Sequence, residues 1–185
     1  DPFAECRGSE PYLGVLDPGV TGQEVSWPDG NGPRILFHVP SGLTDVLGLV
    51  ASLVRLQAQC LLYCPWIAPA TASQLSAANL RVHQTPIDFA SLLPVADAFV
   101  GPARTGVVYD ALRAGTRLAV LPLRSRERLL VHRLSTQALA RLVSPGTLST
   151  EVEQLLTEPR PTPLGGEARQ TVCERVIDQV VRLVS

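Results

Sequence analysis

The sequence predicts a three-layer α/β/α domain in which helices cover both faces of a doubly wound parallel sheet of about five to six strands. Short apolar runs that end at Pro or Gly are typical of strands buried on both faces. These runs alternate along the chain with segments whose apolar residues recur at helical spacing, which favours parallel strands joined by helical crossovers. The length of 185 residues fits one well-buried domain.

The first predicted strand, residues 34–39, is nearly all apolar and stops at Pro40-Ser41-Gly42. A helix with its apolar residues on one face is expected to follow it. The remaining strands are predicted at residues 60–64, 80–84, 98–101 and 117–121. The helices are predicted at residues 43–57, 70–78, 89–93, 107–114, 126–142, 151–158 and 167–184.

Composition divides the chain into three parts. Residues 1–33 are crowded with Pro and Gly and are interpreted as a linker arm. Residues 34–158 form the predicted domain. Residues 159–185 are interpreted as a second linker followed by an amphipathic C-terminal helix.

The charge balance argues against nucleic acid and membrane partners. The net charge is −1, and the longest apolar runs fall short of the roughly 20 residues that span a bilayer. No signal peptide is recognisable, which favours a soluble, cytoplasmic protein. The absence of Met and the start at Asp1 suggest a piece of a longer protein. The four cysteines lack zinc-site spacing and are expected to be free thiols.

Ligands of doubly wound sheets bind where the carboxyl ends of strands meet the N-termini of the following helices. The loops in which a ligand is expected to bind are therefore those at residues 40–44, 84–88, 101–106 and 122–127. In loop 101–106, small residues would let a diphosphate approach a helix N-terminus, and Arg104 would add a bidentate partner. An ordinary strand-to-helix turn explains the same residues equally well, and neither common glycine-rich phosphate motif is present.

Asp110 and the three histidines are each open to more than one interpretation. Asp110, one turn beyond Gly106, could accept hydrogen bonds from a ribose diol or could be a solvated residue near a helix N-terminus. The three histidines show no triad or metal-ligand spacing. A packed or surface role is favoured for His83 and His132, whereas His38 is close to the mouth of the first loop and stays undecided.

Taken together, four segments resemble the C-terminal, donor-binding domain of bacterial GT-B glycosyltransferases, in particular those that act on macrolides. The segments are Trp27-Pro28-Asp29-Gly30-Asn31-Gly32-Pro33-Arg34-Ile35-Leu36, Leu80-Arg81-Val82-His83-Gln84-Thr85-Pro86-Ile87-Asp88, Ala96-Asp97-Ala98-Phe99-Val100, and Asp110-Ala111-Leu112-Arg113-Ala114-Gly115 with Val120-Leu121-Pro122. The resemblance covers roughly residues 25–157. It implies a Rossmann-like fold and glycosyl transfer from a UDP- or dTDP-sugar to a small-molecule acceptor, without a metal or other cofactor.

The resemblance also implies a set of nucleotide-sugar-binding residues, while catalytic residues and the acceptor site would belong to a missing N-terminal domain. The set comprises Ser41, Gly42, Thr85, Ile87, Pro102, Ala103, Arg104, Thr105, Gly106, Asp110, Arg126 and Glu127. The family's diphosphate run His-Gly-Gly-x-Gly-Thr is here Pro-Ala-Arg-Thr-Gly-Val, so only Gly106 is kept. The family's acidic-then-Gln pair for the donor sugar falls on Arg126 and Glu127.

These departures leave alternatives open. The domain could be a degenerate, non-catalytic module that serves as a binding or regulatory surface. Another nucleotide-sugar enzyme of the same architecture, such as an epimerase, is also compatible with the sequence. On the donor-binding interpretation, this chain alone should bind a nucleotide at best and should not catalyse sugar transfer.

Overall fold

The computed structural model describes residues 22–43, 46–123, 125–136, 138–144 and 146–163. Its strands are β1 (Arg34–His38), β2 (Gln59–Tyr63), β3 (Leu80–His83), β4 (Ala98–Gly101), β5 (Arg117–Val120) and β6 (Arg141–Leu142). Its helices are α1 (Val46–Arg55), α2 (Pro69–Leu75), α3 (Phe89–Leu92), α4 (Thr105–Ala114), α5 (Ser125–Thr136) and α6 (Leu148–Thr157). A 3-10 turn at Leu93–Val95 directly follows α3.

The six strands form one parallel sheet in the order β3-β2-β1-β4-β5-β6. The predicted doubly wound, three-layer Rossmann-like fold is therefore confirmed. Two apolar cores lie on opposite faces of the sheet, because successive side chains of a strand point in opposite directions. Ile35 and Phe37 belong to the core under α1, α2 and α6, whereas Leu36 belongs to the core under α3, α4 and α5.

The prediction of one helix over residues 126–142 was wrong. Helix α5 ends at Thr136, and the chain then turns through Ala138, whose φ of 54° lies in the left-handed region. Leu139 closes the turn by donating its amide hydrogen bond to Leu134. Arg141 and Leu142 then pair with β5 as the sixth strand.

An Arg-centred cluster fixes the sixth strand to the last described helix. The guanidinium of Arg141 donates to Glu151 Oε2 at 2.9 Å, to Gln154 Oε1 at 2.7 Å and to Glu158 Oε1. A two-residue strand contributes little backbone pairing of its own. These two contacts to α6 and one to its C-cap residue, Glu158, explain why so short a segment holds its register.

The described part of the linker arm, residues 22–33, lies against the domain. Gln23 donates its amide hydrogen bond to the Pro86 carbonyl and accepts one from the Asp88 amide. Trp27 packs beside the α3–α5 core, with the Arg34 guanidinium 5.7 Å from its ring centroid. The predicted C-terminal helix at residues 167–184 lies outside the described residues, as does most of the arm.

The two described cysteines, Cys60 and Cys64, are buried and free, as expected. Burial raises the pKa of the Cys60 thiol to about 12 and also raises the pKa of Cys64. Both thiols are therefore protonated at neutral pH and behave as small apolar side chains. Cys6 and Cys173 lie outside the described residues.

Among the residues that the structure describes, no helix has both the length and the hydropathy that a membrane span requires.

Candidate functional site

The strand order reverses between β1 and β4, and this reversal creates the candidate site. The chain leaves β1 toward α1 on one face of the sheet and leaves β4 toward α4 on the other. Where two such connections diverge, a crevice forms outside the carboxyl ends of the strands, and doubly wound folds bind ligands there.

The N-terminus of α4 opens at this crevice. Arg104 occupies the N-cap position with an exposed side chain that makes no capping hydrogen bond. Because the first helical bond runs from the Val108 amide to the Arg104 carbonyl (3.0 Å), the amides of Thr105, Gly106 and Val107 have no acceptor within the helix. Such amides at the positive end of the helix dipole are suited to an anion.

Gly106 keeps the space beside the first turn of α4 open. A Cβ added there would meet no atom within 4 Å. The protein itself therefore does not require glycine at this position for packing. The open volume is where a ligand would approach the helix backbone, since a side chain at this position would occupy it.

Pro102 and Ala103, the residues between β4 and Arg104, are buried. The Arg104 amide donates to the Pro102 carbonyl at 2.8 Å, so a tight turn carries the chain from the strand into the helix. The sequence prediction placed all three residues in the diphosphate loop. In the structure, only Arg104 presents an exposed side chain, and the other two pack into the domain.

Asp110 lies one turn beyond Gly106 on α4 and is half-buried. Residues four apart share a face of a helix. The carboxylate of Asp110 is therefore on the same side of α4 as the open space at Gly106. This is the placement that the ribose-ligand interpretation needs.

His38 is the last residue of β1, at the carboxyl end of this central strand, and is only 7% exposed. A Cβ added to Gly101 of β4 would lie 3.2 Å from both the Cβ and the carbonyl oxygen of His38. The glycine at the end of β4 thus lets the two strands pack closely here. Burial and the nearby Arg104 charge lower the pKa of His38 from 6.5 to about 4, so the imidazole is neutral at physiological pH.

Aromatic rings surround the imidazole. The His38 ring centroid lies 5.0 Å from that of Tyr63 on β2 and 5.9 Å from that of Phe89 on α3. Phe89 also packs edge-on against Tyr63 at 5.8 Å and against Phe99 of β4 at 6.0 Å. Together with His38 on β1, these rings come from four separate elements, so no local sequence pattern indicated the cluster.

The loop after β3 holds Thr85 and Ile87, the predicted contacts of the nucleotide base. Thr85 is exposed, and its hydroxyl donates to Gln23 Oε1 at 3.3 Å. The Ile87 side chain is 3% exposed and belongs to the α3–α5 core, which leaves only its backbone for a ligand. Asp88 then caps α3 by accepting hydrogen bonds from the amides of Ala90 and Ser91.

The loops after β1 and β5 approach each other at the carboxyl ends of the strands. Ser41 and Gly42 are exposed, and a Cβ on Gly42 (φ 130°) would lie 3.8 Å from Leu123 Cδ1. Glu127 accepts a hydrogen bond from the Leu123 amide at 2.8 Å, so its carboxylate fixes the start of α5. The side chain of Arg126 lies outside the described part of the structure.

The other two histidines lie away from the crevice between β1 and β4. His83 ends β3, and burial together with the charge of Arg81 lowers its pKa. His132 is exposed on α5. It lines a cleft of about 630 Å³ beside the carboxyl end of β5, together with Arg128 and apolar residues that include Val131 and Val143. None of the predicted site residues lines this cleft.

The structure therefore brings the predicted site residues together in three groups. Arg104, Thr105, Gly106 and Asp110 lie at the N-cap and in the first two turns of α4. Ser41 and Gly42 approach the loop that Glu127 fixes. Thr85 and Ile87 follow β3, separated from β1 by β2, and α3 connects their loop to the aromatic cluster.

No protein-family model matches the sequence, and no curated protein sequence matches it. Solved structures do match the fold. The glycotransferase of kitacinnamycin shares 19% identity and a TM-score of 0.68, over 92% of this chain and 48% of that chain. Glycosyltransferase VinC, in complex with dTDP, shares 15% identity and a TM-score of 0.63, over 83% and 42%. Glycosyltransferase SnogD from Streptomyces nogalater shares 19% identity and a TM-score of 0.58, over 93% and 48%.

These likenesses show the fold. The chain has the Rossmann-like α/β fold found in GT-B glycosyltransferases, as the sequence resemblance implied. It spans about half the length of the solved structures that it matches.

Proposed function

We propose that this chain is the C-terminal, donor-binding half of a glycosyltransferase and that it holds a nucleoside diphosphate sugar at the crevice between β1 and β4. The observation that carries the proposal is the uncapped N-terminus of α4, with Arg104 at its N-cap position and open space beside Gly106. The dTDP complex of a protein with the same fold supports a thymidine or uridine diphosphate as the nucleotide.

Each group at the crevice would have a distinct role. The first-turn amides of α4 and the Arg104 guanidinium would stabilise the negative charge that develops on the departing nucleoside diphosphate. Asp110 would accept hydrogen bonds from the ribose hydroxyls. The backbone of loop 84–88 would contact the base. No step of this scheme needs a metal ion, because the amides and the guanidinium supply the positive charge.

The acceptor site belongs, in this proposal, to a second, N-terminal domain. The chain spans about half of the glycosyltransferases that it resembles in fold. We assign residues 1–33 to the linker between the domains, residues 34–158 to nucleotide-sugar binding, and residues 159–185 to a second linker and a helix. Transfer to a small-molecule acceptor, in the cytoplasm, would need both domains, so this chain alone should bind nucleotide without turnover.

A degenerate binding module is the competing function, and two observations favour it. The buried Pro102 and Ala103 leave fewer exposed groups in the loop that should hold the diphosphate. The Glu127 carboxylate is engaged by the Leu123 amide, although its position corresponds to a ligand of the donor sugar in the family. The two functions differ in whether the crevice binds a nucleotide.

A thermal-shift titration with UDP, dTDP, GDP and their sugar conjugates separates the two functions. A ligand that binds only the folded state raises its stability by RT ln(1 + [L]/Kd). A rise in Tm that is selective for one base would support donor binding and identify the nucleotide. No shift with any of them at millimolar concentration would favour the degenerate module.

Asp110→Ala should weaken binding of the nucleoside diphosphate by on the order of 1 to 3 kcal/mol, which is the range for a hydrogen bond to a charged group. Isothermal calorimetry measures the effect. Glu153→Ala, which removes an exposed carboxylate from α6, is the matched control and should bind like the wild type. Unchanged affinity in a folded Asp110→Ala variant would remove Asp110 from the site.

Arg104→Ala should lower the affinity for a nucleoside diphosphate more than the affinity for the corresponding nucleoside, because only the diphosphate carries charge for the guanidinium. Calorimetric titrations with UDP and uridine, and with dTDP and thymidine, give the two affinities. Arg55→Ala removes the same charge from the far end of α1 and should change neither. An equal loss for nucleotide and nucleoside in Arg104→Ala would mean that Arg104 only shapes the loop.

A further inference from the structure

His38 combines features that packing alone does not explain. It is a polar side chain, 7% exposed, at the carboxyl end of a central strand. Its ring is held between Tyr63 and Phe89, and its backbone is packed on Gly101, so its position is well defined. The positive charge of the exposed Arg104 contributes to lowering the pKa of His38 and so to keeping the imidazole neutral.

The buried nitrogen of the ring indicates which tautomer is present. A neutral imidazole carries its hydrogen on one of its two nitrogens. The Nδ1 atom is buried and has no hydrogen-bond partner among the described residues. A buried N–H group without an acceptor is costly and rare, so the hydrogen belongs on Nε2. The one N–H donor of the neutral His38 ring is therefore on Nε2.

We propose that His38 is a specificity-determining residue, whose Nε2–H group donates a hydrogen bond to a phosphate oxygen of a nucleoside diphosphate bound at the N-terminus of α4. The proposal rests on the proposed function, since it takes the same ligand. It adds a third kind of donor to the site. The α4 amides and Arg104 contact the diphosphate from the side of β4, and His38 contacts it from the side of β1.

A neutral donor suits this wall of the crevice. A second cation within reach of Arg104 would be repelled in the absence of ligand, and a charged group in an aromatic cluster would be poorly solvated. The imidazole avoids both costs and still recognises an anionic oxygen. Its hydrogen bond favours the diphosphate over the nucleoside, because only the diphosphate places an acceptor there.

Three substitutions at His38 test the proposal. Phe keeps an aromatic ring in the cluster and removes both nitrogens. The side-chain amide nitrogen of Gln lies about as far from the backbone as histidine Nε2 does. The amide nitrogen of Asn lies about as far from the backbone as histidine Nδ1 does. The affinities of the wild-type chain and the three variants for UDP, dTDP, uridine and thymidine are measured by calorimetry at pH 7.5, with circular dichroism to confirm folding.

We expect His38→Phe to bind the nucleoside diphosphate about tenfold more weakly than the wild type, within the range for a hydrogen bond to a charged group. Its affinity for the nucleoside should be unchanged. His38→Gln should recover most of the lost affinity, and His38→Asn should not. If His38→Phe does not fold, the difference between the Gln and Asn variants gives the same answer.

Three results would overturn the proposal while leaving the proposed function intact. They are wild-type affinity for the diphosphate in His38→Phe, an equal loss for nucleotide and nucleoside in that variant, and equal affinities of the Gln and Asn variants. A wild-type chain that binds neither UDP nor dTDP is a different result. It would contradict the proposed function itself, and the role of His38 with it.

Discussion

Phe99→Ala is expected to lower the free energy of unfolding by about 3 to 5 kcal/mol, the range for removing a large buried aromatic side chain. Phe99 lies on the central strand β4 and is 0% exposed. Its ring packs edge-on against Phe89 at 6.0 Å and lies close to Gly101, where an added Cβ would be 2.8 Å from Phe99 Cζ. Strands on both sides of β4 fix the backbone, so the cavity cannot collapse freely.

Urea-induced unfolding of the wild type and the variant measures this loss. Val95→Ala is the control, because the Val95 side chain is 46% exposed and its truncation should change stability by no more than about 0.5 kcal/mol. A loss below about 1 kcal/mol in Phe99→Ala would mean that the core beneath α3 and α4 repacks around the gap.

The sequence predicted the sheet well where each strand is a buried apolar run. Strands β1 and β4 are examples, because both pair on two sides and both stop at Pro or Gly. Strand β6 was missed because it has only two residues and follows a helix with no Gly or Pro between them. The turn at Ala138 and the contacts of Arg141 with α6 decide that segment. The partners of Arg141 are Glu151 and Gln154, which lie 10 and 13 residues further along the chain.

The candidate site was predicted in part. The loop after β4 and the position of Asp110 follow from local sequence and from the rule that ligands bind at the carboxyl ends of parallel strands. The burial of Pro102 and Ala103 does not follow from that rule, since it depends on how the turn packs. His38 stayed undecided because its environment comes from β2, α3 and β4, which only the tertiary fold brings together.

The pH dependence of stability should report on the same histidine. Burial, with a contribution from Arg104, lowers the pKa of His38 from 6.5 to about 4. Between these values the unfolded chain binds a proton that the folded chain does not, so the free energy of unfolding falls as the pH falls from 6.5 to 4. The loss from His38 alone amounts to about 3 kcal/mol by pH 4. His83, whose pKa burial also lowers, contributes in the same direction.

Comparison of the wild type with His38→Phe isolates this contribution. Carboxylates and His83 titrate in both proteins, so their effects cancel in the difference between the two curves of unfolding free energy against pH. We expect the wild type to lose about 3 kcal/mol more than the variant between pH 7.5 and 4. Parallel curves for the wild type and His38→Phe would contradict a buried neutral imidazole, because a histidine that titrates alike in the folded and unfolded chains adds no pH dependence. The Nε2–H donor assigned to the crevice would then lose its basis, since it requires the neutral, buried ring.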